Sequence, residues 1–249
     1  MDYDKSDIAA IYDEARALTP DRREQWQGLL AMHIDRGAVS TVVDLGCGTG
    51  RFTELLATHF DAEIIGIDPS GRMLDQARQK PIAGNVAFRQ ASADALPLPD
   101  GSVDLTFMSQ VYHHLADPLA VARECGRVLH RGGYACVRNT TRDCDFVYQH
   151  FFPLEKLIES DLPSRGDINS VFAGAGFAAT AHRIVSQLVA ADWPSFVESS
   201  ALRGDSFLAR LSDEEFDRGM TALRAHRSET GRDDCVTEQI DWFVFTKQA

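Results

Sequence analysis

The sequence predicts an α/β fold: a doubly wound, mostly parallel sheet of seven strands with helices on both faces. Short apolar runs rich in β-branched residues recur between residues 41 and 140, as strands buried on both faces require. Amphipathic stretches with helical spacing separate these runs. Strands that alternate with helices imply parallel βαβ crossovers, which build this type of sheet.

Two helices are predicted before the first strand, and together they form a helical N-terminal cap over residues 1–38. The first helix covers about 6–18, with Ser6 as its N-cap and Thr19-Pro20 as its stop. The second covers about 20–36 and ends at Gly37. The apolar face of the first helix consists of Ile8, Ile11, Tyr12, Ala15 and Leu18.

The core of the sheet is predicted within residues 40–140. Its strands are the apolar runs 41–45, 63–68, 86–90, 103–109 and 133–139. Its helices are 51–60, 71–80 and 117–129. The second half, 141–249, adds a helix over 166–177, a strand over 179–189, a helical insertion over about 192–230 and a last strand over 237–247. A capping box, Ser212 with Glu215, opens one helix of the insertion, and the whole chain is interpreted as one domain.

Composition limits the classes of partner. The chain has 249 residues, with 25 Lys and Arg against 37 Asp and Glu, a net charge of −12, and no basic block. This balance disfavours nucleic acid and anionic membrane and favours a small-molecule ligand. Five scattered cysteines without a C-x-x-C pair indicate neither a disulfide framework nor a zinc site. With no apolar signal segment and no membrane span in the sequence, we expect a soluble, cytoplasmic protein.

The stretch TVVDLGCGTGRF, residues 41–52, predicts a strand, a tight glycine turn and a helix start, an arrangement that holds nucleotide-like cofactors. No Lys follows Gly50, which excludes a phosphate-binding P-loop. The dinucleotide pattern G-x-G-x-x-G is not met by Gly46-x-Gly48-x-Gly50. Asp44, at the strand end, repels a pyrophosphate and attracts the ammonium group of a methionine moiety. The pattern therefore favours a cationic cofactor.

Asp68 stands 22 residues after Gly46, at the end of the second predicted strand. An acidic side chain there is suited to both ribose hydroxyls of any nucleoside cofactor. It is compatible with a nicotinamide dinucleotide and with S-adenosylmethionine alike. A Tyr followed four residues later by Lys, the pair used by short-chain dehydrogenases, is absent from the sequence.

Four motifs in order resemble those of class I S-adenosylmethionine-dependent methyltransferases, closest to the small-molecule, type 11 branch that includes quinone-biosynthesis enzymes. They are VVDLGCGTG, IIGIDPS, ASADALPLPDGSVDLTFMSQVYHHL and RVLHRGGYA. The resemblance covers roughly residues 40–140 in detail. It implies the Rossmann-like methyltransferase fold, S-adenosylmethionine as cofactor and no metal.

The resemblance also implies cofactor-binding roles. Asp44 would take the amino group, Gly46 and Gly48 would allow close backbone approach, and Asp68 would bind the ribose. Met73 would pack near the adenine or ribose, and Ser92 and Ala93 would meet the adenine edge. Gln110 would lie beside the methionine tail. The family often has Gly-Asp-Ala where this chain has Ala91-Ser92-Ala93, so the adenine contact is weaker here or moves to Asp94. Tyr12 is interpreted either as part of a lid over the cofactor or as a core residue.

The acceptor is expected outside the carboxyl ends of the strands. His113 and His114 are candidates for a general base, the alternatives being that one packs under a helix and the other faces solvent. Phe151, Phe152 and Trp193 are candidates for an apolar acceptor pocket. After the fourth strand the chain lacks the Asn/Asp-Pro-Pro run of enzymes that modify DNA adenine or protein amides, which favours a small organic acceptor. Alternatives to methyl transfer are an NAD(P)-linked oxidoreductase and a non-catalytic cofactor-binding module.

Overall fold

The structure is a computed structural model that describes residues 18–229 and 234–248. In these residues it confirms the predicted sheet of seven strands, ordered β3-β2-β1-β4-β5-β7-β6. The strands are β1 Thr41–Leu45, β2 Glu63–Asp68, β3 Asn85–Gln90, β4 Val103–Ser109, β5 Leu129–Asn139, β6 Phe177–Ala190 and β7 Val236–Lys247. The predicted helix over 6–18, with Tyr12, lies outside the described residues, apart from Leu18 at its end.

The helices alternate with the strands as predicted through the core. They are α1 Pro20–His33, α2 Arg51–His59, α3 Gly71–Gln79, α4 Pro118–Val128, α5 Glu155–Asp161, α6 Arg165–Gly174, α7 Trp193–Ala201 and α8 Asp213–Glu229. The capping box forms: the Ser212 N–H donates to Glu215 Oε2 over 2.9 Å, and the Glu215 N–H donates to Ser212 Oγ over 3.3 Å. Among the described helices, none has both the length and the apolar character needed to cross a bilayer.

Parallel pairing brings the carboxyl ends of the central strands to one edge of the sheet. β1 pairs with β2 and β4, β2 with β3, and β4 with β5, all in parallel. β5 and β7 are antiparallel, with Asn139 opposite Asp241. The strand ends Leu45, Asp68, Ser109 and Asn139 therefore share an edge, which is where the sequence places the ligands.

Several predicted boundaries differ from the structure; the predicted helix over 166–177, for example, ends at Gly174, and Phe177 already belongs to β6. Two of the differences have a clear local cause. α1 ends at His33 rather than near residue 36, because Ile34 is extended and the Asp35 side chain accepts the Gly37 N–H in a short 3-10 turn. β5 begins at Leu129, four residues before the predicted start at Gly133. A register shift of the β4–β5 ladder at Val103 and Leu105 absorbs the extra residues. A bulge of this kind leaves no simple apolar pattern.

The chain divides into two compact units. Among the described residues, the first consists of 18–139, 165–183 and 241–248, and the second of 140–164, 184–229 and 234–240. The first unit holds the cofactor-type turn and a core in which the Phe172 and Phe245 rings stack 4.3 Å apart. The second has its own aromatic core, in which Tyr148 stacks on Phe196 at 5.1 Å. The interpretation of 1–249 as one domain remains a prediction.

Candidate functional site

The glycine turn joins β1 to α2. Gly46, Gly48 and Gly50 have φ values of 71°, 55° and 79°, in the left-handed region that favours glycine. The N–H groups of Gly46 and Cys47 donate to the Ile67 carbonyl over 2.7 and 3.0 Å. The end of β2 thus fixes the start of the turn. A Cβ added to Gly48 would meet no atom within 4 Å, so its backbone borders open space.

Asp44 lies below this turn, and only 1% of its surface is exposed. Thr53, the third residue of α2, donates its hydroxyl to Asp44 Oδ2 over 2.6 Å. Burial raises the pKa of Asp44 to about 7, and the neighbouring Asp68 carboxylate raises it too. The Thr53 hydroxyl and main-chain N–H, together with the Arg51 charge, act in the opposite direction. A buried carboxyl group of this kind suits a cationic partner.

Asp68 ends β2 and holds two loops by main-chain hydrogen bonds. Its Oδ2 accepts the Gly48 N–H over 2.9 Å, and its Oδ1 accepts the Ser70 N–H over 2.8 Å. The Ser70 hydroxyl in turn caps α3 by accepting the Met73 N–H over 3.3 Å. Met73 is 5% exposed, so it packs beneath this end of the sheet.

The segment after β3 reaches the same edge. The Ala91 N–H donates to the Asp68 carbonyl over 3.3 Å. Ser92 is exposed and its hydroxyl donates to Asp94 Oδ1 over 2.5 Å, while Ala93 is half-buried against the core. Asp94, the predicted substitute for the family's acidic residue, is therefore tied to Ser92.

Gln110 follows β4 with a φ of 58°, a left-handed conformation that is uncommon outside glycine. Its N–H donates to the Arg138 carbonyl over 2.7 Å, which extends the β4–β5 ladder by one step. Backbone strain of this type is frequent in ligand-binding loops. Gln110 therefore lies at the carboxyl edge, as the sequence predicted.

His113 and His114 lie in a 3-10 turn over Tyr112–His114. His113 is half-buried, with its Nδ1 3.3 Å from Asn139 Oδ1, and His114 is exposed. The centroids of the two rings are 4.0 Å apart. Tyr112 packs into the core, where burial raises its pKa to about 12. The two imidazoles thus lie beside the carboxyl end of β5.

Two polar clusters of the first unit were not found from the sequence. In one, Glu124 Oε1 accepts the Leu96 N–H over 2.7 Å, and Arg127 donates to the carbonyls of Leu96 and Leu98 over 3.1 and 2.9 Å. It anchors the loop that follows Ser92 and Ala93. The spacing of Glu124 and Arg127 on α4, i to i+3, was the available signal.

The other cluster surrounds Asp241, which is fully buried on β7. Arg165 Nε lies 2.9 and 3.0 Å from its two carboxylate oxygens, and His182 Nε2 lies 2.6 Å from Oδ1. The His182 ring also stacks on Phe243 at 4.5 Å. The members are 59 and 76 residues apart from Asp241, so no local pattern predicts the cluster.

The three aromatic candidates for an acceptor pocket separate within the second unit. Phe152 is buried and stacks on Phe216 at 5.9 Å, whereas Phe151 and Trp193 are half-buried. The half-buried pair contacts the His226 ring at 5.2 and 4.5 Å. Within the described parts of the chain, no group of three or more His, Cys, Asp or Glu side chains is arranged to hold a metal ion.

Residues 43–137 match a methyltransferase domain family. This segment of the chain is a methyltransferase domain. The resemblance in the four motifs is therefore confirmed, as is the Rossmann-like fold. The matched residues run from β1 to β5 and include the glycine turn, Asp68 and the loop after β4.

Individual curated proteins match about half of the chain. 27-O-demethylrifamycin SV methyltransferase of Amycolatopsis mediterranei (strain S699) is 31% identical over 131 residues, which are 51% of this chain and 46% of that protein. The chain spans about half the length of the curated relatives it matches.

Two solved structures share the fold over nearly the whole chain. A putative sarcosine dimethylglycine methyltransferase from Galdieria sulphuraria has a TM-score of 0.64 at 19% identity, covering 98% of this chain and 99% of that one. The [4+2]-cyclase SpnF has a TM-score of 0.63 at 21% identity, covering 94% and 84%. At these identities the likeness concerns the fold.

Proposed function

We propose that this protein transfers the methyl group of S-adenosylmethionine to a small organic acceptor and releases S-adenosylhomocysteine. The observation that carries the proposal is the buried Asp44 carboxyl group below a left-handed glycine turn, with Asp68 at the next strand end. A buried carboxylate attracts a cation and repels a pyrophosphate. The bound cofactor supplies a methyl group on a positively charged sulfur.

Asp44 and Asp68 divide the polar part of the cofactor between them. Asp44 binds the ammonium group of the methionine moiety. Asp68 binds the ribose hydroxyls: each of its oxygens accepts one main-chain N–H and keeps further acceptor capacity for a hydroxyl donor. Gly46 and Gly48 let the backbone approach the ligand, and the open space beside Gly48 fits that role.

The remaining cofactor contacts follow the order of the strands. Met73 packs against the adenine or ribose, and Ser92 and Ala93 meet the adenine edge. Gln110 lies beside the methionine tail. Tyr12 lies outside the described residues and stays a prediction, either as part of a lid or as a core residue. These roles rest on the motif resemblance, supported by the common edge that most of these residues share.

Acceptor chemistry is placed at the carboxyl ends of β4 and β5. His113 is the better candidate for a general base, because the Asn139 amide oxygen accepts a hydrogen bond and so favours the proton on Nδ1. In that tautomer, Nε2 is the proton-accepting nitrogen of the neutral ring. His114 is exposed and remains the second candidate. Alignment of acceptor and methyl group contributes to the rate in either case.

The acceptor class proposed is a small molecule, in a cytoplasmic setting and without nucleic acid as partner. The net charge of −12 supports this choice, as does the relative named as a rifamycin-type methyltransferase. The curated relatives match over about half their length, so their acceptors do not carry over to this chain.

The fold also supports one rival function. SpnF is named as a cyclase, so a chain with this architecture need not transfer a methyl group. An NAD(P)-linked oxidoreductase is disfavoured by the glycine spacing and by Asp44.

Calorimetric titration with S-adenosylmethionine, S-adenosylhomocysteine and NAD tests the proposal. We expect micromolar binding of the first two and none of NAD. A panel of small hydroxyl, amine and carbon acceptors is then assayed for S-adenosylhomocysteine formation. Binding of NAD alone would overturn the cofactor assignment. Cofactor binding with product formation on no acceptor would favour the cyclase-like or non-catalytic alternative.

A further inference from the structure

We propose that Thr53 is a positioning residue for the cofactor's ammonium group, and that it acts through Asp44 by setting how readily this carboxyl group exchanges its proton for the bound cation. The inference rests on the proposed function. Thr53 is not one of the binding residues that the motifs predict. Its own role is to aim and hold Asp44.

The geometry places Thr53 as the donor of a buried pair. Thr53 is 0% exposed and Asp44 is 1% exposed, and the bond from the hydroxyl to Oδ2 is 2.6 Å long. In the described part of the chain, Thr53 supplies both the side-chain and the main-chain hydrogen bond that act on this carboxyl group. The hydroxyl thereby engages Oδ2 and fixes the orientation of the carboxyl group.

Helix α2 explains why these two residues meet. Its N-cap, Gly50, has no side chain to accept the first N–H groups of the helix. Asp44, at the end of the preceding strand, lies over this first turn and takes up that role. The positive end of the helix favours a negative charge there, whereas burial opposes it.

The charged and titratable groups around Asp44 come from three elements. Asp68 at the end of β2 disfavours the charge, and Arg51 at the start of α2 favours it. The Cys47 thiol in the turn is buried, and its pKa is raised well above the usual value, so it stays neutral. Without a cation, this balance keeps a substantial share of Asp44 protonated near neutral pH.

Cofactor binding then releases a proton. The Asp44 O–H bond breaks, the proton passes to the buffer, and the carboxylate pairs with the incoming ammonium group. Ligands without an ammonium group leave the proton in place. The site therefore selects for the amino-acid half of the cofactor as well as for the nucleoside half.

The test is calorimetry of S-adenosylhomocysteine binding between pH 6 and pH 8, with proton release measured near pH 7.5 in phosphate and in Tris, which both buffer there and differ in heat of ionisation. 5′-Methylthioadenosine is the matched ligand, because it has the nucleoside and lacks the amino-acid group. We expect net proton release with S-adenosylhomocysteine and about a tenfold gain in affinity over this range. With 5′-methylthioadenosine we expect neither.

Thr53→Val removes the hydroxyl and nearly keeps the volume, and Thr53→Ser restores the donor. For Thr53→Val we expect affinity for S-adenosylhomocysteine at pH 7 to fall about tenfold. The affinity–pH curve should also move to higher pH, whereas 5′-methylthioadenosine binding stays unchanged. Thr53→Ser should restore both properties. Asp44→Asn should abolish proton release, and circular dichroism checks that each variant folds.

The outcomes separate the inference from the proposed function. If the wild-type protein binds neither ligand, the cofactor assignment fails. If it binds S-adenosylhomocysteine without proton release, or if Thr53→Val leaves the pH curve in place, the role of Thr53 is overturned while the cofactor assignment stands. If Thr53→Val weakens the binding of both ligands equally, Thr53 has a merely structural role.

Discussion

The side chain of Val111, just after β4, fills the space in which a Cβ at Gly46 would lie. An ideal Cβ at Gly46 would be 2.4 Å from Val111 Cγ2. The turn after β1 and the loop after β4 therefore interlock at a position where only glycine fits. The two loops that border the proposed cofactor site are held together by this contact.

Gly46→Ala should destabilise the protein more than Gly48→Ala does. Both positions have positive φ, which costs about 1 kcal/mol for a residue with a Cβ. Only Gly46→Ala adds the overlap with Val111, which we expect to cost a further 1–3 kcal/mol, roughly. Urea unfolding without cofactor measures both. Equal losses of unfolding free energy in the two variants would show that the Val111 side chain moves aside without cost.

Asp68→Asn should raise the Kd for S-adenosylhomocysteine about 10- to 100-fold. The amide puts an NH2 group, which only donates hydrogen bonds, in place of a carboxylate oxygen that accepts them. Calorimetry measures the change. Asp75→Asn is the matched control: Asp75 lies on α3, is exposed and pairs with Arg78 at 3.0 Å. We expect no change in affinity there. An Asp68→Asn protein that binds as the wild type does would remove Asp68 from the ribose site.

His59 and His130 should give opposite pH dependences of stability. Burial, and secondarily Arg36, lowers the pKa of His59, whose Nε2 is buried without a hydrogen-bond partner among the described residues. The contribution of the neutral His59 ring to the free energy of unfolding is present above the unfolded-state pKa of about 6.5 and is lost as the pH falls. Hydrogen bonds to the Arg131 carbonyl and the Asp104 carboxylate raise the pKa of His130. The contribution of the protonated His130 ring to the free energy of unfolding is present below the unfolded-state pKa of about 6.5 and is lost as the pH rises.

Thermal unfolding between pH 5.5 and pH 8 separates the two histidines. His59→Gln should reduce the loss of Tm on acidification, whereas His130→Gln should increase it. His130 is 44% exposed in its side chain, so its effect should be the smaller one. Identical slopes in both variants would contradict the assignment.

Asp241→Ala should lower the free energy of unfolding by about 3 kcal/mol, because it leaves the Arg165 charge and the His182 ring without their shared acceptor. Glu214→Gln is the control, since the Glu214–Arg218 pair on α8 is exposed on both sides. Such a pair contributes at most about 1 kcal/mol. Chemical denaturation measures both variants. A loss below that of the control would mean that the buried cluster contributes little.

The core strands were predictable because their apolar runs coincide with burial. β1, β2 and β4 have the predicted bounds, since each is largely buried on both faces and ends at, or just before, a polar or glycine residue. The start of β5 was missed, because a bulge with Gly132 at a φ of 80° breaks the pattern. Helix α5, over Glu155–Asp161, was missed because seven residues give too short a period.

Site residues were predictable where one motif carries them and hidden where two distant segments meet. Asp44 and Asp68 stand at strand ends beside a glycine turn, and their placement at one edge follows from parallel pairing. Thr53 reads as an ordinary helix residue, since its contact with Asp44 depends on how α2 starts. His182 meets Asp241 across two strands 59 residues apart, which periodicity does not encode.

The position of β7 has a consequence for how the chain assembles during synthesis. β7 is the last of the described strands in sequence, yet it lies between β5 and β6 in the sheet. Among the described strands β6 has no other neighbour, so its backbone stays unpaired until about fifty later residues have been made. Pairing at such sequence separation is slow. Until β7 is made, β5 therefore has an unpaired edge, and an edge of this kind is able to pair wrongly with a strand of another chain.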